Sequence, residues 1–195
     1  HCTISDGKLT REEVKNAYKE LGYQVLCMTD HNTIVNHSDM NDPDFLMLTG
    51  VEININAPDM NRVSGKTYHL NLIAKEPDNI WFPTKPKRWF QVAEEYDRQI
   101  QYDNMELQYS PDFINELIAK AKEKGFLVMY NHPTWSCQTY SDYATLKGLW
   151  GMELRNTECC MIGHNENNFR VFKEILNSGT QVFPLGTDDM HYPRA

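Results

Sequence analysis

The sequence predicts an α/β fold built on a mostly parallel sheet. Two observations carry that prediction. Short apolar runs alternate with amphipathic segments along the chain, and the amphipathic segments have recognisable helix starts and stops. A third observation, the placement of histidines and carboxylates just after the apolar runs, ties the fold to a site.

In chain order, residues 1–7 (HCTISDG) form a polar stretch ending in an acidic turn. Thr10 and Glu13 make a capping box, and Val14, Ala17, Tyr18 and Leu21 fall on one helical face, with Gly22 as the stop. Strand-like runs follow at 24–29, 45–51 and 68–73. Residues 89–100 read as a weaker helix. Within 77–108, Trp81, Phe82, Trp89, Phe90 and Tyr96 read first as packing of a covering helix and second as an aromatic stack for a base or ring. Ser110-Pro111 is an N-cap followed by proline at the first helical position. The face of that helix is Phe113, Ile114, Leu117, Ile118 and Ala121, and Gly125 ends it. Runs at 126–130 and 149–154 come next. A third helix is expected from about Asn165, with Phe169, Phe172, Ile175 and Leu176 inward and Gly179 as its end, and a last run covers 181–186.

Composition bounds what such a chain can do. Its 195 residues suffice for one domain with a substantial core, and 41% hydrophobic residues read as globular. The net charge of −8 argues against an extended nucleic-acid surface, though bound cations could still reverse the local field for an anionic substrate. No apolar run reaches the roughly 18–20 residues that span a membrane. The five cysteines (Cys2, Cys27, Cys137, Cys159, Cys160) are odd in number and form no CxxC pair, so neither a disulfide framework nor a thiolate zinc site is expected. A reducing cytoplasm is the expected compartment, and Cys27, inside an apolar run, reads as core.

The first run ends in Asp30-His31 and the second in Glu52. The third contains His69, the fourth ends in Asn131-His132-Pro133, the fifth carries Glu153, and the sixth ends in Thr187-Asp188-Asp189-Met190-His191. In a parallel sheet or barrel the C-terminal strand ends share one face, where active sites sit. Histidine with aspartate and glutamate is the ligand chemistry of divalent Zn, Mn or Fe. Asp189 and His191, two positions apart just past a run, can reach a common cavity, and a carboxylate such as Glu52 can bridge two ions. Each residue has a structural reading when taken singly: His69 as a hydrogen-bonded core histidine, Asp30 as a turn cap, Glu52 on a solvated face. Their joint placement favours a metal centre.

These residues resemble the PHP (polymerase and histidinol phosphatase) domain family. His1 with Ser5-Asp6-Gly7 matches the second half of its opening H-x-H motif. Thr29-Asp30-His31-Asn32, Gly50-Val51-Glu52, His69, Asn131-His132-Pro133 and Asp189-Met190-His191 match the later motifs, in order along the whole chain. The resemblance implies a distorted (β/α)7, TIM-like barrel with its metal site at the C-terminal strand ends, in a single domain over 1–195. It also implies a first strand before residue 1 that carries a further histidine.

Two or three divalent ions (Zn, Mn or Fe) are implied. The first would be held by that further histidine with His1, Glu52 and Asp189. The second would be held by Glu52 with His69 and His132, and the third by Asp6, His31 and His191. Asp30 and Asp188 would orient their neighbours. The implied activity is hydrolysis of a phosphomonoester or phosphodiester by a metal-bridging hydroxide, with no catalytic side chain separate from the metal-bound hydroxide. The expected substrate is small and phosphorylated, nucleotides among the candidates. Arg155 is the foremost phosphate-clamp candidate, with Arg62, Lys66 and His164 in loops and Arg194 near the end. Glu153 stands open between packing and substrate contact. The alternatives are an amidohydrolase-like C–N hydrolase and a non-catalytic metal-binding regulatory domain.

Overall fold

Local sequence signals place the elements. A computed structural model describes residues 1–58 and 65–193. Helix α1 is Arg11–Glu20, and its capping box is complete: Glu13 N donates to Thr10 Oγ1 at 3.2 Å and Thr10 N to Glu13 Oε2 at 2.8 Å. Val14 and Tyr18, four residues apart, are its buried residues. Leu21 is 77% exposed rather than inward, because the helix stops at Glu20 and the chain turns through Gly22 at φ +87°. Strands β1 (Val25–Met28), β2 (Leu46–Asn56) and β3 (Thr67–Ala74) follow. Next come β4 (Trp81–Phe82), the single turn α2 (Glu94–Asp97) and β5 (Gln101–Tyr102). The long helix expected at 89–100 is reduced to α2. The rest of the chain forms α3 (Pro111–Glu123), β6 (Phe126–Tyr130), α4 (Tyr140–Tyr143), β7 (Gly151–Asn156), α5 (Thr157–Met161), α6 (Phe169–Asn177) and β8 (Phe183–Thr187).

All six expected runs are strands of one sheet, ordered β1-β2-β3-β6-β7-β8, and β4 pairs with β5 separately. The pairs β1·β2, β6·β7 and β7·β8 are parallel. The architecture is therefore mixed α/β. The barrel that the resemblance implies has seven strands, and the described residues place six in this sheet. No described helix is long and apolar enough to cross a membrane.

The chain forms two compact units. Among the described residues, the first comprises 1–52, 72–105 and 190–193; the second comprises 53–58, 65–71 and 106–189. In the first unit, Cys2, Ile4, Val14, Tyr18, Met28, Val35, Met40, Phe45 and Met47 form a buried core. Cys27, expected in the core, is half-buried and faces Gly50, where a Cβ would lie 2.6 Å from the Cys27 sulfur. In the second unit, Ser110 Oγ accepts Phe113 N at 3.2 Å and starts α3, whose expected face is buried to the residue. Helix α6 departs from expectation. It starts at Phe169, and Val171 and Ile175 are its buried residues, while Phe169 and Leu176 are 54% and 42% exposed. The cause lies just upstream, where the side chains of Glu166 and Asn168 are hydrogen-bonded to loop and strand instead of starting a helix.

Candidate metal centre

In the first unit, residues 1–7 form a tight loop fastened to Asp30, two residues past β1. The buried Asp30 carboxylate accepts Cys2 N at 2.8 Å, Cys2 Sγ at 3.0 Å and Ser5 Oγ at 2.6 Å. Gly7 N donates to Cys2 O at 3.0 Å, and a Cβ at Gly7 would sit 2.6 Å from the His1 carbonyl, so only glycine fits there. Met190-His191 is tied to the same loop, with His1 N donating to Met190 O at 3.0 Å and Lys8 N to His191 O at 2.9 Å. His31 forms a parallel bridge with Glu52, in which Asn32 N donates to Glu52 O at 2.8 Å and Glu52 N to Asp30 O at 3.1 Å.

These bonds bring ligand-type atoms of His1, Asp6, His31 and His191 to within 4.8 Å of one another. The imidazole pairs His1–His191 and His1–His31 have ring centroids 3.9 and 4.4 Å apart. Glu52, fully buried, places Oε2 3.0 Å from His1 Nε2 and 3.7 Å from His31 Nδ1. Three clustered imidazoles would repel if protonated together. Imidazoles gathered with carboxylates, with no lysine or arginine in the group, fit a divalent cation of the Zn, Mn or Fe type.

In the second unit, β6 ends at Tyr130 and delivers His132, whose backbone is in the left-handed region at φ +23°. Its N–H donates to Glu153 Oε2 at 2.7 Å, its Nδ1 lies 3.2 Å from Ser136 Oγ, and its Nε2 lies 3.9 Å from Asp189 Oδ2. The His69 ring stands 4.8 Å from that of His132, edge-on, and Trp135 lies 4.9 Å from His132. Glu153 also accepts Asn156 Nδ2 at 3.0 Å and Thr187 Oγ1 at 2.7 Å, and the same Asn156 amide donates to Asp189 at 3.1 Å. Burial pushes the Glu153 carboxyl up to about 7. His132 opposes the shift, Asp189 adds to it, and the bonds from Thr187 and Asn156 oppose it. Glu153 thus belongs to the packing and hydrogen-bonding frame of the site.

The first unit gathers His1, Asp6, His31, Glu52 and His191; the second gathers His69, His132 and Asp189. Glu52 and Glu153 differ from expectation in one respect: they lie inside β2 and β7, not at strand ends, because the two strands run on to Asn56 and Asn156. Asp30 anchors the first loop, and the Asp188 carbonyl accepts Glu158 N at 3.1 Å. Arg155 is exposed on β7, where the register with β8 shifts, and His164 is exposed in the turn after α5. Lys66 is engaged with Asp142 at 2.6 Å. Arg62 and Arg194 lie outside the described residues. Sequence reasoning missed Asn156, Ser136 and Glu166. Asn156 was findable as the N-cap of α5, where its Oδ1 accepts Cys159 N at 2.9 Å.

Fold and donor chemistry together define a mixed α/β protein with clusters of histidine and carboxylate that could hold a metal ion. Among solved structures the chain is similar to one from Bifidobacterium adolescentis, a protein provisionally assigned as a metal-dependent phosphoesterase. The TM-score is 0.62 at 15% identity, over 98% of this chain and 85% of that one. Neither a family model nor a curated protein matches the chain.

Proposed function

We propose that the protein is a metal-dependent hydrolase of phosphoester bonds, of the PHP kind. The convergence of His1, Asp6, His31 and His191 donors within 4.8 Å carries this reading, and the assignment of the Bifidobacterium neighbour supports it. His1, His31, His191 and Asp6 would hold a divalent ion, with Glu52 as a further carboxylate ligand beside His1. His69, His132 and Asp189 keep the ligand roles that the resemblance gives them. Bound divalent ions supply an acidified water and positive charge for phosphate oxygens.

The chain's own part is placement. Asp30 fixes the loop that carries His1 and Asp6. Glu153 holds the His132 backbone and, through Asn156, the Asp189 carboxylate. Arg155 and His164 remain the proposed contacts for the phosphate, and a small phosphorylated molecule is the proposed substrate. All five cysteines are free thiols, which supports a reducing, cytoplasmic setting.

The test is metal analysis of the purified protein followed by turnover of phosphomonoesters, phosphodiesters and amides with added Mn, Zn or Fe. Bound metal with phosphoester turnover, lost in His31→Ala and in Asp189→Ala, is the expected result. Turnover of amides alone, or a loaded protein without turnover, would overturn it.

A further inference from the structure

We propose that Trp89 forms the wall of a ring-binding subsite that selects phosphate esters bearing a planar aromatic substituent. The proposal rests on the phosphoesterase reading above and deepens it by naming a substrate class. Its foundation is an exposed indole held beside a candidate ligand. Trp89 is 58% exposed, although Trp81 and Phe82 in the same segment are buried in the core. Its ring centroid lies 5.1 Å from that of His31, inclined by 59°, and Phe90 packs edge-on against it at 5.2 Å.

The indole is not on a loose loop. Its neighbour Arg88 is fully committed: Nε donates to Asn32 O at 2.9 Å, one terminal nitrogen to Asp97 Oδ1 at 2.7 Å and the other to Tyr102 OH at 2.6 Å. Tyr102 OH itself donates to the same Asp97 oxygen at 2.6 Å. That bond from Tyr102, aided by Arg88 and Lys85, holds the Asp97 carboxyl at about 2, so the anchor stays charged at any working pH. Asn32 directly follows His31. The segment that carries the indole is therefore tied to the residue after His31, and the indole itself packs against the His31 and Phe90 rings, which reduces the freedom that binding against it forfeits.

A phosphate drawn to the His1, Asp6, His31 and His191 group carries its ester substituent into the neighbourhood of Trp89. An alkyl or polyol substituent gains little from an indole face, whereas an aromatic ring gains stacking. Aromatic stacking on a side chain corresponds to roughly a 5- to 150-fold preference.

The experiment measures affinities of phenylphosphonate and methylphosphonate, which are not hydrolysed, for the Mn-loaded protein by calorimetry. Wild type is expected to prefer phenylphosphonate within that range. Trp89→Phe should keep most of the preference. Trp89→Leu, which retains apolar bulk without a ring, should abolish it at equal metal content. A wild type that binds the two alike or fails to bind phenylphosphonate, or a preference that survives in Trp89→Leu, would overturn the proposal. Phosphoester turnover is scored separately: if it is absent while the phenyl preference follows Trp89, the catalytic reading fails and the ring subsite stands.

Discussion

Asp30 grips Cys2 at both its backbone and its side chain: Oδ1 accepts the Cys2 N–H at 2.8 Å and Oδ2 the Cys2 thiol at 3.0 Å. With Ser5 Oγ as a third donor at 2.6 Å, one buried carboxylate fixes the loop that presents His1 and Asp6. Burial, with Asp30 beside it, pushes the Cys2 thiol well above its ordinary range, so the thiol stays protonated and serves as a donor. Asp30→Ala takes the acceptor from all three donors and should cost about 2–4 kcal/mol, read as a lower denaturation midpoint, together with reduced metal content. Asp30→Asn keeps one acceptor and should fall between. Unchanged stability and metal content in Asp30→Ala would remove Asp30 from this role.

Removing metal should destabilise the protein. A ligand bound only to the folded state adds about 2.7 kcal/mol when present at a hundred times its dissociation constant. Chelation should therefore lower the melting temperature by several degrees, and His191→Ala should shrink the chelator effect by weakening the ion's hold. A melting curve indifferent to chelator in wild type would argue against a loaded centre.

His37 sets an acid limit that is independent of the metal ligands. It is buried, and burial lowers its pKa from 6.5 to about 4, with nearby Asp30 opposing the shift. Above pH 6.5 the ring is neutral in both folded and unfolded chains, and its contribution is whole. As pH falls from 6.5 towards 4 the unfolded chain takes up a proton that the folded chain refuses, so stability drops, by up to about 1.4 kcal/mol per pH unit for one proton. His37→Gln should flatten the denaturant-stability profile of the metal-free protein between those pH values. An identical slope in wild type and variant would refute the assignment.

Gly50 reports on the β1·β2 pair. A Cβ there would stand 2.6 Å from the Cys27 sulfur and 3.1 Å from Thr29 Cγ2. Gly50→Ala should cost about 1–3 kcal/mol by overpacking, and Cys27→Ala should recover part of that loss in the double variant. Strict additivity in the double-mutant cycle would show that the clash is relieved elsewhere.

Much of this was legible in the sequence, for identifiable reasons. Thr10 with Glu13 and Ser110 with Pro111 are local signals, and local chemistry decides where a helix begins. The six apolar runs became strands because short apolar runs set between helix start and stop signals suffice to mark them. Where those runs end was less visible: Glu52 and Glu153 each sit within a strand whose extension depends on partners distant in sequence. Within the candidate site, ordered motifs marked His1, Asp6, His31 and His191 as ligand-type residues, but the resemblance divided them between two ion positions, whereas the fold gathers the four together. The frame around His132 carried no such mark, because Asn156, Ser136 and Glu166 act through long-range hydrogen bonds that no spacing rule reveals. Phe169 misled for a related reason. Its apolar spacing fits a helix face, but the side-chain bonds of Glu166 and Asn168 set where α6 begins and which residues turn inward.

Glu166 gives the sharpest test of that hidden frame. It is fully buried, and its two oxygens accept Thr134 N at 3.1 Å and Trp135 N at 2.7 Å, with Asn168 Nδ2 on the first oxygen at 2.7 Å. Asn168 in turn accepts Thr134 Oγ1 at 2.7 Å and donates to Glu153 O at 3.1 Å. Glu166 touches no proposed ligand, yet it fixes the backbone just after His132, whose left-handed conformation has to be held by its surroundings. Glu166→Gln keeps the shape but turns one acceptor into a donor facing other donors. It should cost about 2–3 kcal/mol of stability and lower kcat more than it raises KM, because placement of His132 would suffer while substrate contacts remain. Glu166→Asp, which retains the charge on a shorter arm, should recover part of the rate. A Glu166→Gln protein of reduced stability but unchanged kcat would confine the residue to folding.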